Sequence, residues 1–268
     1  MMNQQGDPPK TRLFLWEDCG LYAGLEACSK LHSHHAIQIT YVLDGECRIR
    51  AQGDGQWRTT TGFLILPGTV YQGDTPGRFV TFFVDVNHPL YWRHKCAQES
   101  VFLHGIRCFD VHAEDLHRLR EFHGGRISCP QARGLFQDAV VRWFPESLGT
   151  PALDTRIGRI VAHIDHALPG AMKLEDIAAV VGLSPSRVMH LFRAETGTTV
   201  RQFILWRRLK SVLVTLAKGE NLTHSAHVAG FSDSAHLTRT FVMMFGFSPT
   251  AILAGPVGAQ FAVCSETD

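Results

Sequence analysis

One small helical pattern is written twice between Leu174 and Thr250, and it restricts what this chain can become more than any other feature. The first copy, Ile177 to Gly197, reads IAAVVGLSPSRVMHLFRAETG. The second, Ser225 to Gly246, reads SAHVAGFSDSAHLTRTFVMMFG and has one residue more between the turn and the closing glycine. Each has a short apolar helix, a Gly followed by Leu or Phe, a Ser, and an amphipathic helix closing on Gly, which is the outline of a helix-turn-helix. Two ordinary helical hairpins would share that outline. An internal repeat at a spacing of about fifty residues is much rarer than a single chance match.

The positions support the outline physically. Gly182 and Gly230 stand where the first helix must stop and turn, a place that favours positive φ. Ser184 and Ser232 follow as expected N-caps, and Pro185 takes a first helical position, where a missing N–H is harmless. In copy one Val188, Leu191 and Phe192 form a core face, leaving Ser186, Met189, His190 and Arg193 opposite. In copy two Leu237, Phe241 and Met244 or Phe245 face inward, and Ala235, His236 and Arg239 face out with Ser234 and Thr238 at the edges. Between the copies the spacing predicts one helix from about Val200 to Leu216, roughly 25 Å long. A rod of that size can set two recognition helices about one DNA turn, near 34 Å, apart on one face of a duplex. Arg201, Arg207, Arg208 and Lys210 cluster on it; some are expected to face phosphates, against a plain solvated helix surface as the alternative.

Together these residues resemble the DNA-binding domain of the AraC/XylS family of transcription regulators. The resemblance is carried by AGFSDSAHLTRTF at Ala229 to Phe241, then Phe245, Gly246, Ser248 and Pro249, by LSPSRVMHLFRAETG at Leu183 to Gly197, and by Arg208-Leu209. It covers about a hundred residues, from near Arg156 to near Ala254. It implies that two recognition helices enter two adjacent major grooves of double-stranded DNA. Ser186, Arg187, Met189, His190 and Arg193 would belong to the first and Ser234, His236, Thr238 and Arg239 to the second, with Arg208 contributing from the connecting helix. The chain departs from the family in having Val242 and Met243 where basic residues usually follow the Phe, and Val212 where Ala is usual. Losing two cations weakens phosphate contact by the second motif.

A chain of 268 residues has room for one large or two modest domains. No run reaches the ~18 apolar residues of a membrane span, and the polar start MMNQQGDPPKTR lacks the apolar segment of a secretory signal. A cytoplasmic protein without a membrane partner is the expectation. Seven cysteines without a CxxC or zinc-finger spacing suit a reducing compartment, as mostly small core residues. Net charge is only +1, but it is uneven: Arg156 to Thr250 holds eleven Lys and Arg against six Asp and Glu, leaving the rest at −4. That fits a basic reader joined to a neutral or acidic partner domain.

The N-terminal part reads as strands. Arg12 to Trp16 and Leu21 to Ala27 are short candidates, and Ile37, Ile39, Tyr41 and Leu43 alternate with Gln38, Thr40 and Val42. Asp44-Gly45 is expected to close a two-residue hairpin onto a return strand carrying Cys47, Ile49 and Ala51. Phe63 to Gly68 and Phe79 to Val86 add two more strands, so a sandwich or small barrel is expected. Within it His32-Ser33-His34-His35, Gln38 and Gly45 resemble the first cupin motif, and Leu66 to Tyr71 the second. Gln38 then stands where a Glu ligand would be and Tyr71 where a third His would be. Two His, an amide and a phenol make a poor metal site, and no metal or cofactor is assigned. His32, His34, Gln38 and Tyr71 are read instead as polar groups in a barrel mouth that contact a small-molecule effector.

Leu116, Leu119 and Phe122 are spaced for a helix ending at Gly124-Gly125, and Leu135 to Phe144 for another. The resemblance implies that such helices mediate dimerisation; the residues show only apolar faces needing a partner. Pro145 to Pro151 is the expected linker, and Leu153, Ile157, Ile160, Val161, Ile164 and Leu168 mark a further helix stopped by Pro169-Gly170. The expected architecture is α+β, with a cupin-like sensor barrel over 1–105, a helical dimerisation or linker segment over 106–150, the double helix-turn-helix domain over 151–256 and a tail over 257–268. The function expected is a ligand-responsive, sequence-specific DNA-binding regulator, acting as a homodimer with RNA polymerase as a further partner and no catalytic residue. A metal-dependent cupin enzyme and a redox-sensing regulator are the alternatives.

Overall fold

The structure is a computed structural model, and it describes residues 11–96, 101–149, 151, 154–250 and 260–265. Two sheets make the N-terminal domain. The larger has the order β10-β7-β4-β9-β2-β1-β11, with β1 Arg12–Leu15, β2 Cys19–Gly24, β4 Ile37–Val42, β7 Gly62–Ile65, β9 Phe79–Val84, β10 Ile106–Phe109 and β11 Gln260–Val263. The smaller runs β3-β8-β5-β6, formed by β3 Ala27–Cys28, β8 Tyr71–Thr75, β5 Cys47–Ala51 and β6 Arg58–Thr60. Val42, Ile49, Phe63, Ile65 and Ile106 fill the space between them.

The expected hairpin at Asp44-Gly45 does not form. β4 pairs with β7 and β9, whereas β5 pairs with β6 and β8, so the chain crosses from one sheet to the other at this turn. The cause lies in β4 itself, whose six residues are all buried. A strand covered on both faces belongs in the middle of a sheet, and the alternation of Gln38 and Thr40 with Ile37, Ile39 and Tyr41 separates two buried faces rather than core from solvent. Ile37, Ile39 and Tyr41 face outward onto helices, while Gln38 and Thr40 line the barrel interior.

Those helices are α1 Ala113–His123 and α2 Cys129–Trp143, the second starting six residues before the expected segment, behind a Ser128 capping box. Leu119, Phe122, Phe136 and Val140 pack on the large sheet, so the apolar faces that needed a partner find one within the chain. β1 lies between two helical layers because its side chains alternate. Phe14 meets Phe122 edge-on, with ring centroids 5.2 Å apart, while Leu13 and Leu15 point the other way, into the core of the C-terminal helices.

The C-terminal helices are α3 Thr155–Ala167, α4 Leu174–Val181, α5 Pro185–Thr196, α6 Val200–Ala217, α7 Leu222–Val228 and α8 Ser234–Phe245. Leu153 lies outside the described residues. The expected tail contains a strand: β11 pairs in parallel with β1, from Arg12↔Gln260 to Leu15↔Val263. Cys129 and Cys264 form a disulfide, which corrects the reading of the cysteines as unpaired core residues. Neighbouring sequence gives no sign of a pair separated by 135 residues. Among the described residues no helix is long and apolar enough to cross a membrane.

Candidate nucleic-acid interface and barrel pocket

Each repeat folds into a helical pair because its local signals agree. In the first, Gly182 ends α4 at φ 66°, Ser184 caps α5 by accepting from the Arg187 N–H, and Pro185 opens the helix. Val188 and Phe192 are fully buried, and Ser186, Arg187, Met189, His190 and Arg193 are all exposed along the opposite side. In the second, the N-cap is Asp233, not Ser232. The Asp233 carboxylate accepts from the His236 N–H at 2.6 Å, and the Ser232 hydroxyl donates to that carboxylate. A carboxylate at a helix N-terminus accepts a charge-assisted bond and meets the positive end of the helix dipole, so it displaces a neighbouring hydroxyl from the role. Leu237, Phe241 and Met244 are buried; Arg239 is exposed, and Ser234, His236 and Thr238 are half-buried.

The connecting helix α6 has 18 residues and so spans about 27 Å. Its cations have separate fates. Arg201 and Arg208 line a groove between the two readers together with Met189 and His236, and Arg208 also donates to the carbonyls of Pro169 and Gly170. Arg207 and Lys210 turn inward. Arg207 pairs with Asp165 at 2.6 Å, and both reach Asp85 of the barrel, Lys210 at 2.8 Å. These two cations are engaged within the protein, in place of the phosphate-facing role expected for part of the cluster.

The barrel brings His32, His34, Gln38 and Tyr71 together. His32 and Tyr71 are joined by a backbone bridge and their rings lie 4.2 Å apart, tilted by 50°. The Tyr71 hydroxyl donates to Gln38 Oε1 at 2.7 Å, His34 Nε2 lies 2.5 Å from the same oxygen, and His34 Nδ1 faces the Ala36 carbonyl at 2.9 Å. Behind them Gln38 Nε2 donates to Thr40, whose hydroxyl meets that of Thr81. Burial pushes the imidazoles of His32 and His34 down to about 4, with the neighbouring His34 adding to the effect on His32. Both are neutral near pH 7. A neutral His34 has one proton for two carbonyl partners, so the cluster is short of a donor. His35 points away, toward Trp206 of α6, with its own imidazole lowered to about 3, chiefly by burial.

This burial has a measurable sign. A histidine whose folded value lies below its unfolded one adds stability above about pH 6.5 and loses it as pH falls toward 4. Between pH 7 and pH 5 His34 alone should account for about 2 kcal/mol of lost stability. Urea midpoints at the two pH values check this, and the loss should shrink by that amount in His34→Gln; an equal loss in both proteins would contradict it.

The pocket around these groups is small, with a cavity volume of about 60 Å³, and its outer wall comes from the C-terminal domain: Phe245 and Phe247 lie at the end of α8 and just beyond, and Phe245 meets Phe83, which in turn meets His34 edge-on. Backbone bonds fix this seam. Lys30 N–H donates to the Gly246 carbonyl at 3.0 Å and Ser33 N–H to that of Met243 at 3.3 Å. The first reader is held similarly at its closing turn, where the Tyr91 hydroxyl donates to the Thr196 carbonyl at 3.2 Å. Sequence reasoning missed Phe245 and Phe247 as pocket residues, since their spacing reads only as helix core. It also missed Asp85, a lone acid in an apolar strand, and that oddity was the available clue.

Comparison with known proteins follows the same division. The helix-turn-helix domain family matches residues 177–255. The XylDLEGF operon transcriptional activator of Pseudomonas putida is 26% identical over 168 residues, covering 60% of this chain and 50% of that protein. The arabinose operon regulatory protein of Escherichia coli is 31% identical over 140 residues, covering 49% and 46%. The chain thus spans about half the length of these curated relatives. Among solved structures, an apo point variant of ToxT from Vibrio cholerae superimposes with a TM-score of 0.60 at 12% identity, over 86% of this chain and 96% of that one. A second, wild-type ToxT with unsaturated fatty acid bound, gives 0.57 at 13% identity over 90% and 96%. The helical repeat thus matches the helix-turn-helix domain family and is similar to regulators of the AraC/XylS type, and the fold of nearly the whole chain, an N-terminal barrel domain ahead of the paired helix-turn-helix motif, is shared with ToxT.

Proposed function

We propose that the protein is a sequence-specific DNA-binding transcription regulator whose promoter affinity responds to a small molecule in the barrel. The observation that carries this reading is the double duty of α8, which exposes Arg239 outward and closes the barrel pocket with Phe245 and Phe247 at its far end. A molecule entering that pocket must press on or replace these rings, and so bias the position of the second reader. Ser186, Arg187, Met189, His190 and Arg193 form the first reading face; Ser234, His236, Thr238 and Arg239 form the second, with Arg201 and Arg208 between them. No catalytic step is assigned to it.

The pocket chemistry narrows the effector. Neutral His32 and His34, Gln38, Thr40 and Tyr71 supply polar contacts, the phenylalanines supply apolar walls, and among the described residues no Lys or Arg lines the space. This suits an uncharged molecule with a hydroxyl or N–H donor for the cluster that lacks one, and a flat or apolar body. The ToxT structure with bound unsaturated fatty acid is consistent with a ligand held by this architecture; here Lys210, which lines a neighbouring cleft, is already paired with Asp85.

The test is selection of genomic DNA fragments by the full-length protein, then sequencing. Two short sequence blocks about ten base pairs apart are expected; retention without a motif would count against sequence reading. Arg239→Ala should weaken binding of the selected motif by about 1–3 kcal/mol, roughly 5- to 150-fold, without changing the thermal midpoint. Unfolding of that variant would show that the side chain is structural.

A further inference from the structure

The Cys129–Cys264 disulfide joins the first residue of α2 to the residue following β11, with Cα atoms 5.8 Å apart. β11 has only four residues, two exposed and two half-buried, so its own packing holds it weakly. Yet its position matters. On one side it extends the sheet beside β1, with the Cys264 N–H donating to the Leu15 carbonyl at 2.9 Å. On the other it lies against α6, where Phe261 packs on the cluster containing Trp206, Leu209 and Leu213. The strand therefore bridges the barrel and the helix that connects the two readers, and one covalent bond fastens it.

We propose that Cys129–Cys264 is a reversible thiol–disulfide site, with small dithiols and glutathione-type thiols as its reaction partners, whose state sets how firmly β11 holds α6 to the barrel. Cys264 is only 6% exposed and Cys129 is half-buried, so an incoming thiolate attacks the Cys129 sulfur. A mixed disulfide forms there and Cys264 leaves as a thiolate that takes up a proton. The second thiol of a dithiol then attacks the reductant's own sulfur, closing a cyclic disulfide and releasing Cys129. At the first position of a 15-residue helix the departing thiolate meets the positive end of the helix dipole, which makes Cys129 a good leaving group. In the reverse direction the two thiols give up two electrons and two protons to a disulfide such as oxidised glutathione, which becomes two thiols. Cys19 and Cys47 do not compete, because burial raises both thiols, Cys47 to about 12.

Full-length protein is treated with oxidised glutathione or with dithiothreitol, freed of reagent, unfolded and alkylated. Mass spectrometry of the peptides should find Cys129 and Cys264 joined to each other after oxidation and both alkylated after reduction. Hydrogen exchange on the native protein in the two states should then show protection of residues 260–264 falling at least tenfold on reduction, with a smaller loss in α6 and none in α1. The double variant Cys129→Ser, Cys264→Ser should behave like the reduced protein; if it does not fold, the comparison of the two wild-type states still decides. Alkylation of both cysteines in both states, or unchanged protection of 260–264 on reduction, would overturn the proposal.

Discussion

Asp85→Ala is expected to lower the thermal midpoint of the full-length protein by roughly 10 °C, the loss of about 3–5 kcal/mol that follows when an ion cluster loses its most buried acid. Asp85 is 3% exposed. Its Oδ2 accepts from the Trp206 indole at 3.1 Å and from Lys210 at 2.8 Å, with Arg207 at 3.4 Å, while Oδ1 is buried without a hydrogen-bond partner. Burial alone would raise this carboxyl, but Lys210 and Arg207 hold it below the ordinary carboxylate range. Alanine strands the Trp206 indole N–H in the seam between barrel and α6 and leaves the Lys210 ammonium with the Glu17 carbonyl but no counter-charge, whereas Arg207 keeps Asp165. Because the folded value is depressed, the stabilisation is present above about pH 4 and fades as pH falls below it. The variant should therefore lack that part of the acid sensitivity. A midpoint within about 2 °C of wild type would mean that the cluster's desolvation offsets its attraction.

Gly246→Ala should open the other side of the same seam. Gly246 has φ 78°, so a side chain there costs about 1–2 kcal/mol for the left-handed backbone alone. A Cβ would also stand 2.5 Å from Ser29 Cβ and 2.8 Å from His32 Nδ1. Backbone and a packed ring cannot yield as a long surface side chain could, so the strain is relieved by drawing the end of α8 away from the barrel. The expected total is about 3 kcal/mol, with faster hydrogen exchange at the Lys30 and Ser33 amides. Gly182→Ala is the control, since Gly182 is also left-handed, at 66°, but has no atom within 4 Å of the added carbon. It should show the backbone cost only. Equal losses in the two variants would mean that the approach to Ser29 and His32 is soft.

The readers were legible in the sequence because every cue for them is local: a turn glycine, a cap, a proline and a 3.6-residue period fall within about twenty residues. Even the Ser232 to Asp233 correction moves the cap by one position. The barrel was legible as strands, but its pairing was not. Asp44-Gly45 has the composition of a hairpin turn, and whether the next strand folds back or crosses to a second sheet depends on what covers β4, which includes helices about seventy to a hundred residues later. The cluster of His32, His34, Gln38 and Tyr71 was foreshadowed by the cupin-like spacing. Its outer wall was not, because Phe245 and Phe247 reach it from the far end of the chain. For the same reason Arg207 and Lys210 looked available to phosphates until Asp85 and Asp165 appeared beside them.

The parallel pairing of β11 with β1 changes how the reader is attached. The chain leaves the barrel before α3 and returns to the barrel's own sheet after α8, so α3–α8 is an insertion in the N-terminal domain rather than an appendage at its end. A body held by two strands of chain cannot swivel about a single hinge. Its allowed displacements are short slides and tilts along the seam, and after each excursion the docked arrangement is re-formed at high effective concentration. On the function proposed above, such an attachment would alter promoter affinity through small shifts in the angle between the two reading helices, rather than by releasing the whole reader.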